Sequence, residues 1–453
     1  MSVTSQLTEK IAATGYAELG EPAIAAARRL VLDGIAVAVA GSEQQAIEIL
    51  AAHFKEQGGT PQATAIGNSF RLNMVAAAAL NGAAMHVLDF EPMWSPANHA
   101  LSTTLAGTLA LAEARGANGR DVLTALVKGV EMQGWIRQAS GQFEARTTRF
   151  HPPSAVGPLG SAVAAGHLLG LDAARLASAI GIAASRAGGL LANAGTMTKS
   201  SHCGHASALG LEAAPLAELG FTANVDVFEA SQGYAPAFYD ARFKAEEMLG
   251  FGRAPLRIVE PGYVIKLFPS QFGTHFGITA ALELHPKIPS PSAIRQVVLT
   301  APVMAYVDRP WPKTGLDGKF SLQYTAAAAL LDGKVSIATF TDTRLAEPDM
   351  QELLGKFEVR LDPAIPGRFE EMHVDLRVEL DSGRMLKARC SGPRGKWGMP
   401  PISEAEHLAK VRDCLATRLQ PAAAETIIKF ARSIDDLDTA DMRQLMQLAG
   451  CFV

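Results

Sequence analysis

The chain has 453 residues, 48% of them apolar and 19% charged, and its 41 Lys and Arg against 45 Asp and Glu leave a formal net charge of −4. That length supports a sizeable core divided among two or three domains, and the balanced charge with no sustained basic run excludes the electrostatic footprint of a nucleic-acid binder. A small anionic ligand must then be held by local positive charge.

The first stretch, MSVTSQLTEKIAATGYAEL, lacks a basic region leading into an apolar core, and the apolar run LVLDGIAVAVAG is too short for a bilayer and carries Asp33. Neither an export signal nor a membrane span is expected. The four cysteines, Cys203, Cys390, Cys414 and Cys451, form no C-x-x-C pair, which suits a reducing cytoplasm rather than a disulfide framework or structural zinc. Up to about Gly250, alanine-rich segments with apolar residues at three- and four-residue spacing predict helices over 21–40, 103–115, 120–138, 153–169, 173–187 and 205–219.

The texture changes after Pro255. Residues 371–380 alternate, with Met372, Val374, Leu376, Val378 and Leu380 on one face and His373, Asp375, Arg377 and Glu379 on the other; Asp381-Ser382-Gly383 then turns into a second strand over 384–390. That is a hairpin with one wet face. Further strands are predicted over 294–300 and 356–361, and helices over 271–284, 322–331 and 404–414. The expected fold is mostly α: an all-helical domain of residues 1–265, completed by C-terminal helices in 400–453, plus a smaller α+β lid domain of residues 266–399. No G-x-G-x-x-G or Walker-type loop follows a strand, so a nucleotide cofactor has no support.

Polar residues in apolar surroundings mark the candidate site. In TMTKSSHCGHASALGLEAAPLAELGFTAN, Lys199, His202 and His205 stand at the mouth of a small-residue helix that can pack backbone-close. The terminal N–H groups and dipole of such a helix favour an anion, and a lysine beside them completes a carboxylate site. A His-Cys-x-His cluster with no second cluster suits packing better than a metal. Asp89 ends a helical stretch in HVLDFEPMWSPANHA and His99 follows its proline-bracketed loop. His151 is held rigidly, because Pro152 and Pro153 fix their own φ and restrict the residue before them. Lys266, Gln271 and His275 lie at the domain boundary, where clefts form, and Tyr306 and Arg309 occupy a proline-stiffened loop. This mixture suits stabilising charge on a small polycarboxylate while a proton moves at a carbon beside a carboxylate. Lysines can stabilise that charge without a metal, and histidines can give and take the proton.

These segments, in this order, resemble the MmgE/PrpD family, which includes 2-methylcitrate dehydratases, cis-aconitate decarboxylases and iminodisuccinate epimerases. The most specific are FHPPSAVGPLGSAVAAGHLLGL, the Lys199 segment, IKLFPSQFGTHF and KFSLQYTAAAALLDGKVSIATF. The first of these, with YVDRPWP, is nearer the decarboxylase branch. The resemblance implies an all-helical domain with an α+β lid, a homodimer, and a reaction needing no organic cofactor or metal. It puts catalytic roles on Asp89, His99, His151, Lys199, Lys266 and Tyr306, with Met93, His202, Gln271 and His275 as substrate-binding positions.

Two departures stand out. Where the family reads Asp-Phe-Asp-Asp-Thr and then His-Pro-Ser, this chain has Asp89-Phe90-Glu91-Pro92-Met93 and then His99-Ala100-Leu101; Gln271 replaces the usual cysteine, serine or histidine. The Met93 thioether cannot donate a strong hydrogen bond, which puts standard 2-methylcitrate and cis-aconitate in question as the substrate. The expected activity is a cofactor-independent lyase acting on a small di- or tricarboxylic acid through a carbanion-like or enolate-like intermediate. Cis-aconitate-like decarboxylation is ahead of dehydration; epimerisation between His99 and His151, or polycarboxylate binding without catalysis, are the alternatives.

Overall fold

The computed structural model describes residues 1–143, 148–239 and 242–451. Its helical body is built from Glu21–Gly41, Met74–Val87, Ala100–Arg115, Gly119–Ala139, Pro152–Leu168, Ala173–Ala184 and Met197–Glu218. The starts carry side-chain caps where a short polar residue precedes the apolar run: Asn73, Asn118 and Asp172 each accept from a backbone N–H in the first turn. Residues 76–87 and 100–112 are buried on every face, so these two helices form the centre of the body rather than its surface.

Small residues let the helices approach to backbone contact. A Cβ added at Gly204 would lie 2.0 Å from the Ala79 carbonyl oxygen, and one at Gly210 would lie 2.2 Å from that of Pro158. The Met74–Val87 and Met197–Glu218 helices therefore touch where Gly82 meets Gly204, and this close crossing brings the ends carrying His86 and Lys199 together.

The last of these helices starts at Met197 rather than at the expected residue 205. Thr, Ser and His in TMTKSSHC are poor helix formers, but packing against two buried helices overrides that preference. Lys199 and His202 are thus inside the first turns, not in a preceding loop, while His205 is exposed.

The α+β region holds a four-stranded sheet ordered Phe357–Asp362, Ile294–Pro302, Val374–Leu380, Met385–Cys390; the first pair is parallel and the others are antiparallel. The hairpin forms as its alternation predicts, with Gly383 at φ 77 in the turn. Val374, Leu376, Val378 and Leu380 share a core with residues of the Thr274–Leu284 and Leu322–Asp332 helices. The C-terminal helices Glu404–Leu415 and Pro421–Arg432 return to pack on Glu21–Gly41. Met93–Trp94 pairs with Tyr263–Val264, which ties the loop after Asp89 to the chain entering Lys266. Among the described residues no helix is long and apolar enough to cross a membrane.

Candidate active site

Asp89 follows the Met74–Val87 helix with φ at 49, a conformation that Asp adopts more readily than most side chains. That turn aims its carboxylate between two lysines. Lys199 Nζ donates to Oδ2 at 3.0 Å, and Lys266 Nζ donates to Oδ1, to the Asp89 carbonyl at 3.0 Å and to the Ser270 carbonyl at 3.1 Å. Burial alone would raise Asp89, but the two ammonium groups outweigh it and hold the carboxyl well below its usual range. Burial lowers Lys266, opposed by its contact with Asp89. Lys319, donating to the Leu88 and Pro269 carbonyls at 3.2 Å each, is pushed down by burial to about 7.

Behind this pair runs a second chain of contacts. Lys199 Nζ lies 2.7 Å from His86 Nε2, and His86 Nδ1 lies 2.7 Å from Glu91 Oε1. An ammonium donor at Nε2 fixes the neutral tautomer with its proton on Nδ1, donated to Glu91. Ser102 adds its backbone N–H at 2.9 Å and its hydroxyl at 2.7 Å to the same carboxyl group. Burial nevertheless dominates and raises Glu91 to about 8.

The imidazoles of His99 and His151 face this cluster, with ring centres 6.4 Å apart. His99 Nε2 is 3.9 Å from Asp89 Oδ1, and its Nδ1, 3.5 Å from Glu91 Oε1, has no hydrogen-bond partner. His151 stands at the N-cap of the Pro152–Leu168 helix, where its backbone N–H donates to the Gly189 carbonyl at 2.8 Å. Burial, then nearby lysines, hold both histidines well below the ordinary value. The half-buried His202, its Nδ1 3.4 Å from that of His151, falls to about 4 for the same reasons.

A cavity of about 110 Å³ opens on these groups. Asp89, Met93, His99, His151, Lys199, Gln271 and Tyr306 all lie on its wall, together with Phe272 and Phe320. Gln271 Nε2 donates to the Tyr306 hydroxyl at 2.8 Å, while Gln271 Oε1 accepts from Gly273 N–H at 2.6 Å, so the amide aims the phenol. Three expected residues are elsewhere. Lys266 is wholly enclosed against Asp89, and His275 is buried between Phe268 and Phe272 with Nε2 on the Ser270 carbonyl at 3.2 Å. His202 reaches His151 but not the cavity wall. His86, Glu91 and Lys319 were not expected; only the spacing of His86, three residues before Asp89 at a helix end, hinted at one of them.

Donor atoms of His86, Glu91 and His99 lie within 4.8 Å of one another, close enough to hold a cation. Two lysine ammonium groups beside the cluster oppose a cation there and favour an anion.

Residues 5–246 match the MmgE/PrpD N-terminal domain and residues 268–436 the MmgE/PrpD C-terminal domain. The chain is 31% identical over 448 residues to the cis-aconitate decarboxylase of Homo sapiens, covering 96% of this chain and 92% of that one. It is 26% identical over 462 residues to the cis-aconitate decarboxylase of Aspergillus terreus, covering 94% and 91%. It is also 26% identical over 404 residues to the 2-methylcitrate dehydratase of Cupriavidus necator, covering 82% and 80%. These relatives define a class, the carboxy-lyases and hydro-lyases, and this chain is a lyase. It belongs to the MmgE/PrpD family.

Proposed function

We propose that this chain decarboxylates a cis-aconitate-like tricarboxylic acid without a cofactor, through a carbanion delocalised as an enolate. The observation that carries this reading is the placement of two neutral imidazoles, His99 and His151, on the same cavity wall as Lys199. Loss of CO₂ breaks a carbon–carbon bond and leaves its electron pair on carbon, conjugated with a remaining carboxylate. Lys199 stabilises that charge, and a proton from His151 quenches the carbanion. The free enzyme keeps His151 neutral. A bound polyanion raises its proton affinity, so binding itself loads the acid with a proton from water. Phe272 and Phe320 give the departing carboxylate an apolar wall, which favours its conversion to neutral CO₂.

Incubation with cis-aconitate in deuterated water, followed by NMR, is expected to show release of CO₂ and one deuterium in the product. Addition of water across the double bond instead, or deuterium exchange without net loss, overturns decarboxylation in favour of a hydro-lyase or an epimerase reaction.

A further inference from the structure

Arg137 ends the Gly119–Ala139 helix, is only 2% exposed and lines the same cavity as Lys199 and His151. Its Nη1 donates to the Ser140 hydroxyl at 3.3 Å and its Nη2 to the Gln142 carbonyl at 2.6 Å, while Nε has no partner. Among the described residues its partners are neutral, the groups of acidic type acting on it being the phenols of Tyr239, which hydrogen-bonds it, and Tyr234. The helix C-terminus contributes at most about half a negative charge. Buried lysines in comparable positions can shed the proton: burial lowers Lys319 to about 7 and Lys128 to about 8. A guanidinium stays charged, so Arg137 has no such outlet. Five buried polar side-chain atoms lack a partner among the described residues, and three of them belong to cavity residues: Asn98, His99 and Arg137. Since buried polar atoms in folded proteins are nearly always paired, this clustering points to a ligand.

We propose that Arg137 receives one carboxylate of the substrate and so selects tricarboxylates over dicarboxylates. The inference rests on the reading of the site as a polycarboxylate lyase and deepens it. The departing carboxylate needs apolar surroundings, Lys199 holds a second, and Arg137 supplies the place for the third. The planar fork matches a carboxylate, and a charged hydrogen bond of this kind contributes more than a neutral one.

The test is direct binding, by calorimetry, of tricarballylate, which lacks the double bond, and of glutarate, which also lacks the central carboxylate. Arg137→Lys removes the fork, and a lysine buried there can shed its proton. It is expected to weaken tricarballylate roughly 10- to 100-fold and leave glutarate unchanged. Glu144→Gln, which neutralises the first acid after Arg137 along the sequence, is expected to change neither. Tricarballylate binding within twofold of the parent in folded Arg137→Lys, or the same loss in Glu144→Gln, overturns the proposal. If Arg137→Lys does not fold, phenylglyoxal labelling of the parent chain read by mass spectrometry answers the question. Arg137 is expected to be protected by tricarballylate and not by glutarate; equal labelling with and without tricarballylate overturns the proposal. Because the readout is binding, failure of decarboxylation and failure of this inference remain distinguishable.

Discussion

Two buried aspartates use nearly the same ingredients to different ends. Asp33, in the middle of Glu21–Gly41, accepts from His407 Nε2 at 3.0 Å and meets Lys410 Nζ at 2.9 Å; Lys410 also donates to the Phe90 carbonyl at 2.8 Å, and Arg29 donates to His407 Nδ1 at 3.3 Å. These contacts close on one another: the cluster fastens the Glu404–Leu415 helix to the body and to the residue after Asp89. Asp89 also has lysine and histidine neighbours, but its φ is positive, the adjacent His99 Nδ1 is unpaired, and a cavity opens beside it. A buried charge pair alone therefore does not mark a site. Unfilled polar atoms beside open space do.

The largest effect that separates the two clusters is chemical. His151→Gln keeps polarity and much of the volume but cannot carry a proton, so turnover is expected to fall by roughly two to four orders of magnitude with the fold intact. The pH profile sharpens the assignment. His151 is held well below the usual histidine value in the free enzyme, so the kcat/KM limb should lie below about 6.5, while the kcat limb, set in the anion complex, should lie higher. A parental rate with an unchanged profile leaves His151 as a helix-start residue only.

The next effect runs the other way. Asp33→Asn leaves Lys410 charged and buried, and is expected to cost about 3–5 kcal/mol in a urea titration while folded enzyme turns over at near the parental rate. Lost turnover with unchanged stability would merge the two clusters into one functional unit.

The hairpin over 374–390 and most of the body helices were legible because period-2 and period-3.6 patterns are local. So were Asp89, His99, His151, Lys199 and Tyr306, which stand out as polar residues in apolar or proline-rich segments. The start of the Met197–Glu218 helix was hidden, because its first turns owe their stability to Gly82 and Gly204 meeting across sequence. His86, Arg137 and Lys319 were hidden for a related reason: each reads locally as an ordinary basic residue in a helix or loop, and only distant segments bury it. Glu91 was visible merely as a departure from the family pattern. Lys266 was legible in identity but not in place, since its enclosure depends on Asp89 turning back over it.

Glu91 yields the smallest and most specific test of the contrast. Burial raises its carboxyl from 4.5 to about 8 against two hydrogen bonds from Ser102, so the folded chain keeps a proton there that the unfolded chain has released. The sign follows from which state binds more protons. Between about pH 4.5 and 8 the folded state holds the extra proton, and this group alone makes stability fall by at most about 1.4 kcal/mol per pH unit as pH rises; below and above that window its contribution is flat. Glu91→Gln preserves the shape and can still accept from Ser102 and His86, but cannot titrate. The difference in unfolding free energy between variant and parent should therefore shift toward the variant as pH rises across the window and level off near pH 8. Asp33, held below its ordinary value by Lys410 and His407 despite its burial, has no titration of its own over the same range. Parallel pH curves for Glu91→Gln and the parent would mean that Glu91 is ionised beside His86. The Asp89 cluster would then carry one more negative charge, leaving less net positive charge to attract a polyanion.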